Sequence, residues 1–217
     1  MFYRVGPGSV QGRYRAPLPA LSAGYDATCA RIAALVVDAD ASRPVPACPG
    51  WRVGDLVAHL CATAGAGDET SMAAQLARWR AVAAVAGAAI DDGAHDLFVD
   101  AVVHEHDLRG ALQKPGGRGA PEVRAAVTLQ LEDLGRHLKR AGLGGLVIDA
   151  GGVAWTSHFA RAGCTLRTDP WEAMRVLASR RTEAEVRALV VSGDVEPYLD
   201  ALAAHRPLPT ASLGERP

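Results

Sequence analysis

The sequence contains few aromatic residues, no long apolar run and no surplus of charge of either sign. Only 5% of its 217 residues are Phe, Trp or Tyr, although 49% are hydrophobic, so the apolar residues are mostly Ala, Val and Leu. This mixture is typical of closely packed helices. The formal net charge of −1 leaves no excess of Lys and Arg to bind nucleic acid or an anionic membrane surface. We therefore expect neither of these partners.

The sequence also lacks the hydrophobic segments that export or membrane insertion requires. No stretch approaches about 20 uncharged apolar residues, and residues 1–20 contain Gly, Pro, Arg and Tyr in place of a signal peptide's apolar run. The four cysteines form no CxxC pair. We therefore expect a soluble, cytoplasmic protein whose cysteines are reduced thiols.

Helical periodicity dominates the first two thirds of the chain. Glycines and prolines interrupt residues 1–20, which we interpret as an irregular arm. From residue 21 to residue 142, apolar side chains recur every three or four positions, and turn residues separate the helical segments. The predicted helices are 25–37, 51–62, 71–90, 97–112 and 121–141.

The pattern changes near residue 143. Short apolar runs at 146–148, 153–156 and 164–168 are separated by turn residues, which is typical of strands. Helices are predicted at 169–178 and 195–204, and residues 186–191 fit either a strand or a helix end. The predicted fold is therefore a helical bundle at 21–142 followed by a small α+β unit at 143–217.

Three residues on two predicted helices have the spacing of metal ligands. Asp100 and His104 are four residues apart, so both project from one helix face with Cβ atoms about 5–6 Å apart. His59 lies on the apolar stripe of the second helix, where an unpaired imidazole is costly to bury. Two imidazoles and one carboxylate leave positions open on a zinc ion, as in catalytic sites. Spacing alone leaves another interpretation open, namely a helix-surface pair and a hydrogen-bonded core histidine.

The neighbours of His104 divide between two faces of the same predicted helix. His106 is about 200° around the helix from His104 and points away from the ligand face. Asp107 returns to the ligand side, where its carboxylate can orient the imidazole of His104. Glu105 is expected to be solvated.

Two segments resemble the signatures of a known family. Segment 48–60, CPGWRVGDLVAHL, and segment 100–112, DAVVHEHDLRGAL, resemble those of the mycothiol-dependent maleylpyruvate isomerases. The resemblance implies a DinB-like four-helix bundle in which His59, Asp100 and His104 bind a divalent metal, usually zinc. The family pattern has Glu where this chain has Asp100, so the carboxylate reaches one methylene less far.

The C-terminal part resembles the small second domain of the same family, which is related to sterol-carrier-type folds. Ser179-Arg180 stands where that domain usually has Gly-Arg. The resemblance implies that Arg180 or Arg181 extends over the mouth of the bundle and binds a dicarboxylate-like substrate. A solvated helix end is the alternative for both arginines. The matching segments are 168–172, 178–181 and 191–194.

The resemblance also implies a reaction. Members are actinobacterial-type cytosolic enzymes in which the thiol of mycothiol adds to a small electrophilic metabolite, either to isomerise a double bond or to transfer the thiol. A thiol is mostly protonated near neutral pH, and a dication removes its proton and positions the sulfur. The cysteines of the chain are then not the nucleophile. A metal-containing ligand-binding or regulatory module without turnover is the alternative, whereas a closed structural zinc site is disfavoured because it takes four ligands.

Overall fold

The computed structural model describes residues 20–66, 71–204 and 206–215. The predicted irregular arm lies outside these residues, except for Ala20. The predicted helical region is confirmed and contains α1 (Leu21–Val36), α2 (Val53–Thr63), α3 (Met72–Asp91), α4 (His95–Leu112) and α5 (Pro121–Arg140). Among the described residues, no helix combines the length and the apolar character needed to cross a bilayer.

Helix α2 shows why the bundle forms where the periodicity predicts it. The Asp55 carboxylate accepts a hydrogen bond from the Arg52 backbone N–H at 2.8 Å and stabilises the first turn. The apolar stripe of this helix is buried, as its spacing predicts, and consists of Val53, Leu56, Val57 and Leu60. Helix α2 therefore has a fixed orientation relative to the bundle interior, and this orientation fixes the position of His59.

The helices α1–α4 pack around a common interior. Helix α1 contacts α3 and α4, and α2 contacts the same two helices. Trp79 on α3 donates a hydrogen bond from Nε1 to the hydroxyl of Tyr25 on α1 at 2.8 Å, so the polar atoms of both buried rings are satisfied. Helix α5 packs outside this group against α1 and α4. Helix α1 begins at Leu21, where the helical pattern of the sequence starts, and Leu21 is itself buried in the core.

A small mixed sheet follows the helices. Its strands run in the order β2-β1-β3-β4, with the central pair β1 and β3 parallel and both edge strands antiparallel to their neighbours. The segment 186–191, which the sequence left open, contains the end of α7 and the start of β4. The elements of this part are β1 (Gly145–Asp149), β2 (Ala154–Thr156), β3 (Ala162–Arg167), α6 (Pro170–Leu177), α7 (Glu183–Ala188), β4 (Val190–Gly193) and α8 (Glu196–Leu202).

Helix α5 joins the bundle to the C-terminal part. It packs against α6 and α8 as well as against the sheet. A Cβ at Gly135 would overlap the carbonyl oxygen of Ser157, so α5 approaches the backbone after β2 too closely for any residue other than glycine. Helix α6, which α5 contacts, carries Arg175, whose guanidinium contacts Asp107 on α4.

Candidate metal centre

Three side chains from α2 and α4 converge at one point. His59 Nε2 lies 2.9 Å from Asp100 Oδ2, and His104 Nε2 lies 3.1 Å from Asp100 Oδ1. One ligand atom from each of the three residues lies within 4.8 Å of the other two. Two imidazole nitrogens and one carboxylate oxygen form a donor set that suits a divalent cation such as zinc. The residues present therefore fit the metal that the sequence predicts.

Hydrogen bonds within this triad favour a charged Asp100 carboxylate and a protonated His104 imidazole. Burial would raise the pKa of Asp100, but its hydrogen bonds to His104 and His59 outweigh burial and hold that pKa well below its usual range. Burial would likewise lower the pKa of His104, but hydrogen bonds to Asp100 and Asp107 raise it to about 11. His104 must therefore release a proton before its Nε2 can bind a cation.

Asp107 contacts the other nitrogen of the His104 ring, on the side away from Asp100. Its Oδ2 is 2.8 Å from His104 Nδ1, so the imidazole is held with Nε2 facing Asp100. The Asp107 side chain is fully buried and also accepts hydrogen bonds from Arg175 Nη1 at 2.7 Å and from Arg180 Nη2 at 2.7 Å. Burial would raise the pKa of Asp107, but Arg175, His104 and Arg180 keep it well below its usual value. The contact between Asp107 Oδ2 and His104 Nδ1 is the geometry that the predicted orienting role of Asp107 requires.

A second carboxylate extends this cluster away from the metal ligands. Glu215 accepts hydrogen bonds from Arg175 Nη2 and from Arg181 Nη1, both at 2.7 Å. Arg181 also donates to Glu172 at 2.6 Å from Nε. Arg181 is therefore a buried partner of two carboxylates and is not among the residues that line the cavity described below.

Cys48 lies on the same side of the His104 ring as Asp107. Its Sγ is 3.9 Å from His104 Nδ1 and 3.4 Å from Asp107 Oδ2, so these residues form a second group of possible metal ligands. However, the guanidinium groups of Arg175 and Arg180 both contact the Asp107 carboxylate. A dication there would be placed beside two positive charges, which opposes its binding. The group of His59, Asp100 and His104 is therefore the better metal site.

A cavity of about 730 Å³ opens beside His59, Asp100 and His104. Trp51 forms part of its wall, with its ring centroid 5.0 Å from that of His59 and 6.3 Å from that of His104. The lining also includes Gln130 on α5, whose buried Oε1 has no hydrogen-bond partner among the described residues. The size suits a small-molecule ligand.

A comparison with protein families identifies the helical region. The family described as the mycothiol maleylpyruvate isomerase N-terminal domain matches residues 22–142. The chain belongs to this family. No significant match was found among curated proteins or solved structures. Membership in the mycothiol maleylpyruvate isomerase family confirms the resemblance that segments 48–60 and 100–112 indicated.

This member of the mycothiol maleylpyruvate isomerase family has an unusual backbone at Ser179. Its φ of 56° lies in the left-handed region, which favours glycine, and this explains a usual Gly-Arg at the position. The Ser179 hydroxyl donates a hydrogen bond to the Leu202 carbonyl at 2.7 Å. This bond partly offsets the backbone strain at Ser179. It also links Leu202, the last residue of α8, to the residue that precedes Arg180. The other departure, Asp100, still reaches both imidazoles despite its shorter side chain.

The expectation that Glu105 is solvated is wrong. The side chain is 1% exposed and forms ion pairs with Arg31 Nη2 at 2.9 Å and Arg109 Nη2 at 2.8 Å. Arg31 comes from α1, far away in sequence, so local periodicity could not reveal the pair. His106 faces away from the metal ligands, as expected, and accepts a hydrogen bond from Trp171 Nε1 at 3.1 Å.

Sequence reasoning missed Cys48, Arg175 and Arg206 as residues near the site. Cys48 begins the segment that contains His59, but nothing in that pattern indicates that its thiol approaches His104. Arg175 on α6 is 0% exposed. Arginine is usually exposed to solvent, so nothing in the sequence indicates that it lies in the interior. Arg206 follows α8 in an irregular segment that carries no periodic signal.

Proposed function

We propose that this mycothiol maleylpyruvate isomerase family member is a metal-dependent and thiol-dependent enzyme. Its thiol cosubstrate is mycothiol, and its substrate is a small electrophilic metabolite. His59, Asp100 and His104 would hold the divalent cation, most simply zinc. When bound, the cation supplies a Lewis acid that lowers the pKa of a thiol and positions its sulfur.

The reaction adds the thiolate sulfur to an electron-poor carbon of the metabolite. In an isomerase, the attacked double bond becomes a single bond that rotates, and loss of the same thiolate restores the double bond and the cosubstrate. In a thiol transferase, the adduct takes up a proton and leaves with the sulfur attached. Both outcomes begin with the same step, so one site can support either.

The residues of the chain prepare this step in separate ways. Asp107 accepts a hydrogen bond at His104 Nδ1 and thereby turns Nε2 toward the ligand position. Arg175 and Arg180 keep the Asp107 carboxylate charged in a fully buried position. The Trp51 ring lies against the two imidazoles and forms part of the cavity wall beside the ligand position.

The observation that carries the proposal is the convergence of His59, Asp100 and His104 on the wall of a large cavity. A structural metal site would be closed by a fourth protein ligand and would need no cavity. The His59 and Asp100 side chains are 31% and 30% exposed, so the ligand position faces the cavity and not the bundle core. A cosubstrate thiol can reach it from there.

The proposal is tested with protein purified without chelator. Metal analysis should give one equivalent of zinc or a similar dication per chain. Calorimetry with mycothiol should then show binding with proton release, and the affinity should increase as the pH rises toward the thiol pKa. A cobalt-substituted sample should change its visible spectrum when the thiol is added. Metal-loaded protein that shows neither effect would contradict the proposed thiol chemistry.

A metal-containing ligand-binding module without turnover is the second candidate function. Its support is that Arg180 and Arg181 are occupied by carboxylates of the chain and that Asp100 replaces the usual glutamate. A screen for thiol-dependent turnover of electrophilic metabolites by the metal-loaded protein separates the two functions. Turnover that His59→Ala abolishes supports the enzyme, and metal-dependent ligand binding without turnover supports the module.

A further inference from the structure

The arginines that line the cavity are Arg136, Arg180 and Arg206. Arg136 forms an ion pair with Asp133, and Arg180 forms one with Asp107. Arg206 has no carboxylate partner among the described residues, although its side chain lines the same cavity. A guanidinium without a counterion beside a ligand-sized cavity is available to an anion that enters from solvent.

Arg180 cannot easily serve as that cation. Its Nε and Nη2 donate to Asp107 at 3.1 and 2.7 Å, and its Nη1 donates to the carbonyl of Ala178 at 2.7 Å. If Arg180 turned toward a ligand, this bidentate pair would break. The buried Asp107 carboxylate would then lose one of its cationic partners, which would destabilise the folded protein. Arg180 therefore belongs to the support of His104.

Arg206 is held close to the metal ligands. Its Nη1 lies 3.8 Å from Cys48 Sγ, and the same sulfur lies 3.9 Å from His104 Nδ1. Two hydrogen bonds hold the described residues here: the Ser179 hydroxyl donates to the Leu202 carbonyl, and the Arg206 N–H donates to the Ala203 carbonyl at 3.1 Å. One small ligand can therefore contact Arg206 and reach the neighbourhood of His104 together.

We propose that Arg206 binds an oxyanion of the metabolite, a carboxylate or a phosphate, while the reactive carbon of the metabolite meets the thiol beside His104. The inference rests on the proposed function and adds Arg206 as a residue that binds the substrate in this cavity. The planar guanidinium binds such a group through two parallel hydrogen bonds, which fixes the orientation of the ligand as well as its affinity.

The test uses the zinc-loaded full chain and calorimetric titration with maleate and, separately, with inorganic phosphate. Arg206→Gln should weaken binding of the preferred anion by about tenfold or more, the effect of losing one charge-assisted contact. Arg206→Lys should recover part of the loss, because it keeps the charge but not the fork. The matched control is Arg136→Gln, which removes an exposed cavity arginine that already has a carboxylate partner and should change the affinity less than about twofold.

A loss confined to maleate identifies the group as a carboxylate, and a loss confined to phosphate identifies it as a phosphate. Either result supports the inference, provided that circular dichroism and zinc content match those of the unmodified chain. Equal affinity of Arg206→Gln and the unmodified chain for both anions would overturn it. It would also be overturned if the unmodified chain bound neither maleate nor phosphate at about 10 mM. Failure to retain zinc would instead count against the proposed function, and the same titrations of the zinc-free chain would still test Arg206.

Discussion

Arg180 donates two hydrogen bonds to Asp107, from Nε to Oδ1 at 3.1 Å and from Nη2 to Oδ2 at 2.7 Å. Asp107 lies on α4 and Arg180 follows α6, so this pair joins the helical region to the C-terminal part. Asp107 also holds His104 Nδ1. The packing of the C-terminal part against the bundle and the orientation of a candidate metal ligand therefore depend on the same buried carboxylate.

Asp107→Asn should destabilise the protein and weaken metal binding together. The change leaves the guanidinium groups of Arg175 and Arg180 buried beside a neutral amide, which should lower the free energy of unfolding by about 3–5 kcal/mol. Loss of the carboxylate behind His104 should lower zinc affinity about 10- to 100-fold. Urea unfolding and zinc competition titrations measure the two effects. Asp96→Asn, at an exposed residue of the same cavity, should leave zinc affinity unchanged. It should lower the free energy of unfolding by about 1 kcal/mol or less, because Asp96 lies in the first turn of α4.

His104→Ala should abolish stoichiometric zinc binding. The variant removes the most buried of the three predicted ligands and should remain helical, since it leaves the apolar stripes intact. Zinc content after dialysis is measured by plasma mass spectrometry, with circular dichroism as the check on folding. His137→Ala is the matched control, because His137 lines the cavity without belonging to the ligand group. Full zinc content in His104→Ala would refute the ligand assignment.

Asp100 allows a test of ligand charge and length. Asp100→Asn keeps the size of the side chain but removes its charge, so zinc should be lost while the helical fold persists. Asp100→Glu restores the residue that the family pattern usually has and should retain zinc. Metal analysis and far-ultraviolet circular dichroism of the two variants check the expectation, which retention of zinc by Asp100→Asn would contradict.

Zinc uptake should release protons and strengthen as the pH rises. The carboxylates of Asp100 and Asp107 outweigh burial and raise the pKa of His104 to about 11 in the metal-free chain, so this imidazole is protonated near neutral pH. A cation that binds Nε2 must displace that proton. Calorimetry at pH 7 in two buffers of different ionisation enthalpy measures the number of protons released. A value near zero would mean that His104 binds no cation through Nε2.

His106 should make the protein less stable in mild acid. Burial, together with the nearby charge of Arg175 and Arg109, lowers the pKa of His106 to about 4 despite the opposing charge of Glu105. The unfolded chain takes up the proton near pH 6.5 and the folded chain only near pH 4, so protonation favours unfolding as the pH falls between these values. The expected loss is about 2–3 kcal/mol in the free energy of unfolding.

The variant His106→Asn isolates that contribution. The asparagine side-chain oxygen can accept the hydrogen bond from Trp171 Nε1 but takes up no proton in this range. Urea unfolding at several pH values should therefore show a shallower decline for the variant than for the unmodified chain. Parallel declines between pH 6.5 and pH 4 would show that other groups cause the acid sensitivity.

The sequence was sufficient to predict the helices and the shared helix face of Asp100 and His104, because both depend on local spacing. The stripe of α2 is buried as its period predicts, and the four-residue interval places Asp100 and His104 on one face of α4. The packing of α2 against α4 then brings His59 to that face. Several ion pairs around these helices join residues that are distant in sequence, such as Arg31 with Glu105 and Arg180 with Asp107. Glu105 was therefore predicted wrongly, and the contact between Arg206 and Cys48 had no detectable signal.

The buried ion pairs of Glu215 bear on how the protein would respond to trimming by peptidases. Segment 206–215 is irregular in structure, yet Glu215 is the shared counterion of Arg175 and Arg181, both of which are buried. A cut within this segment would detach that carboxylate and leave two guanidinium groups without part of their charge balance. Cleavage in this segment would thus weaken the charge balance next to Asp107, and cleaved molecules should be degraded sooner than intact ones.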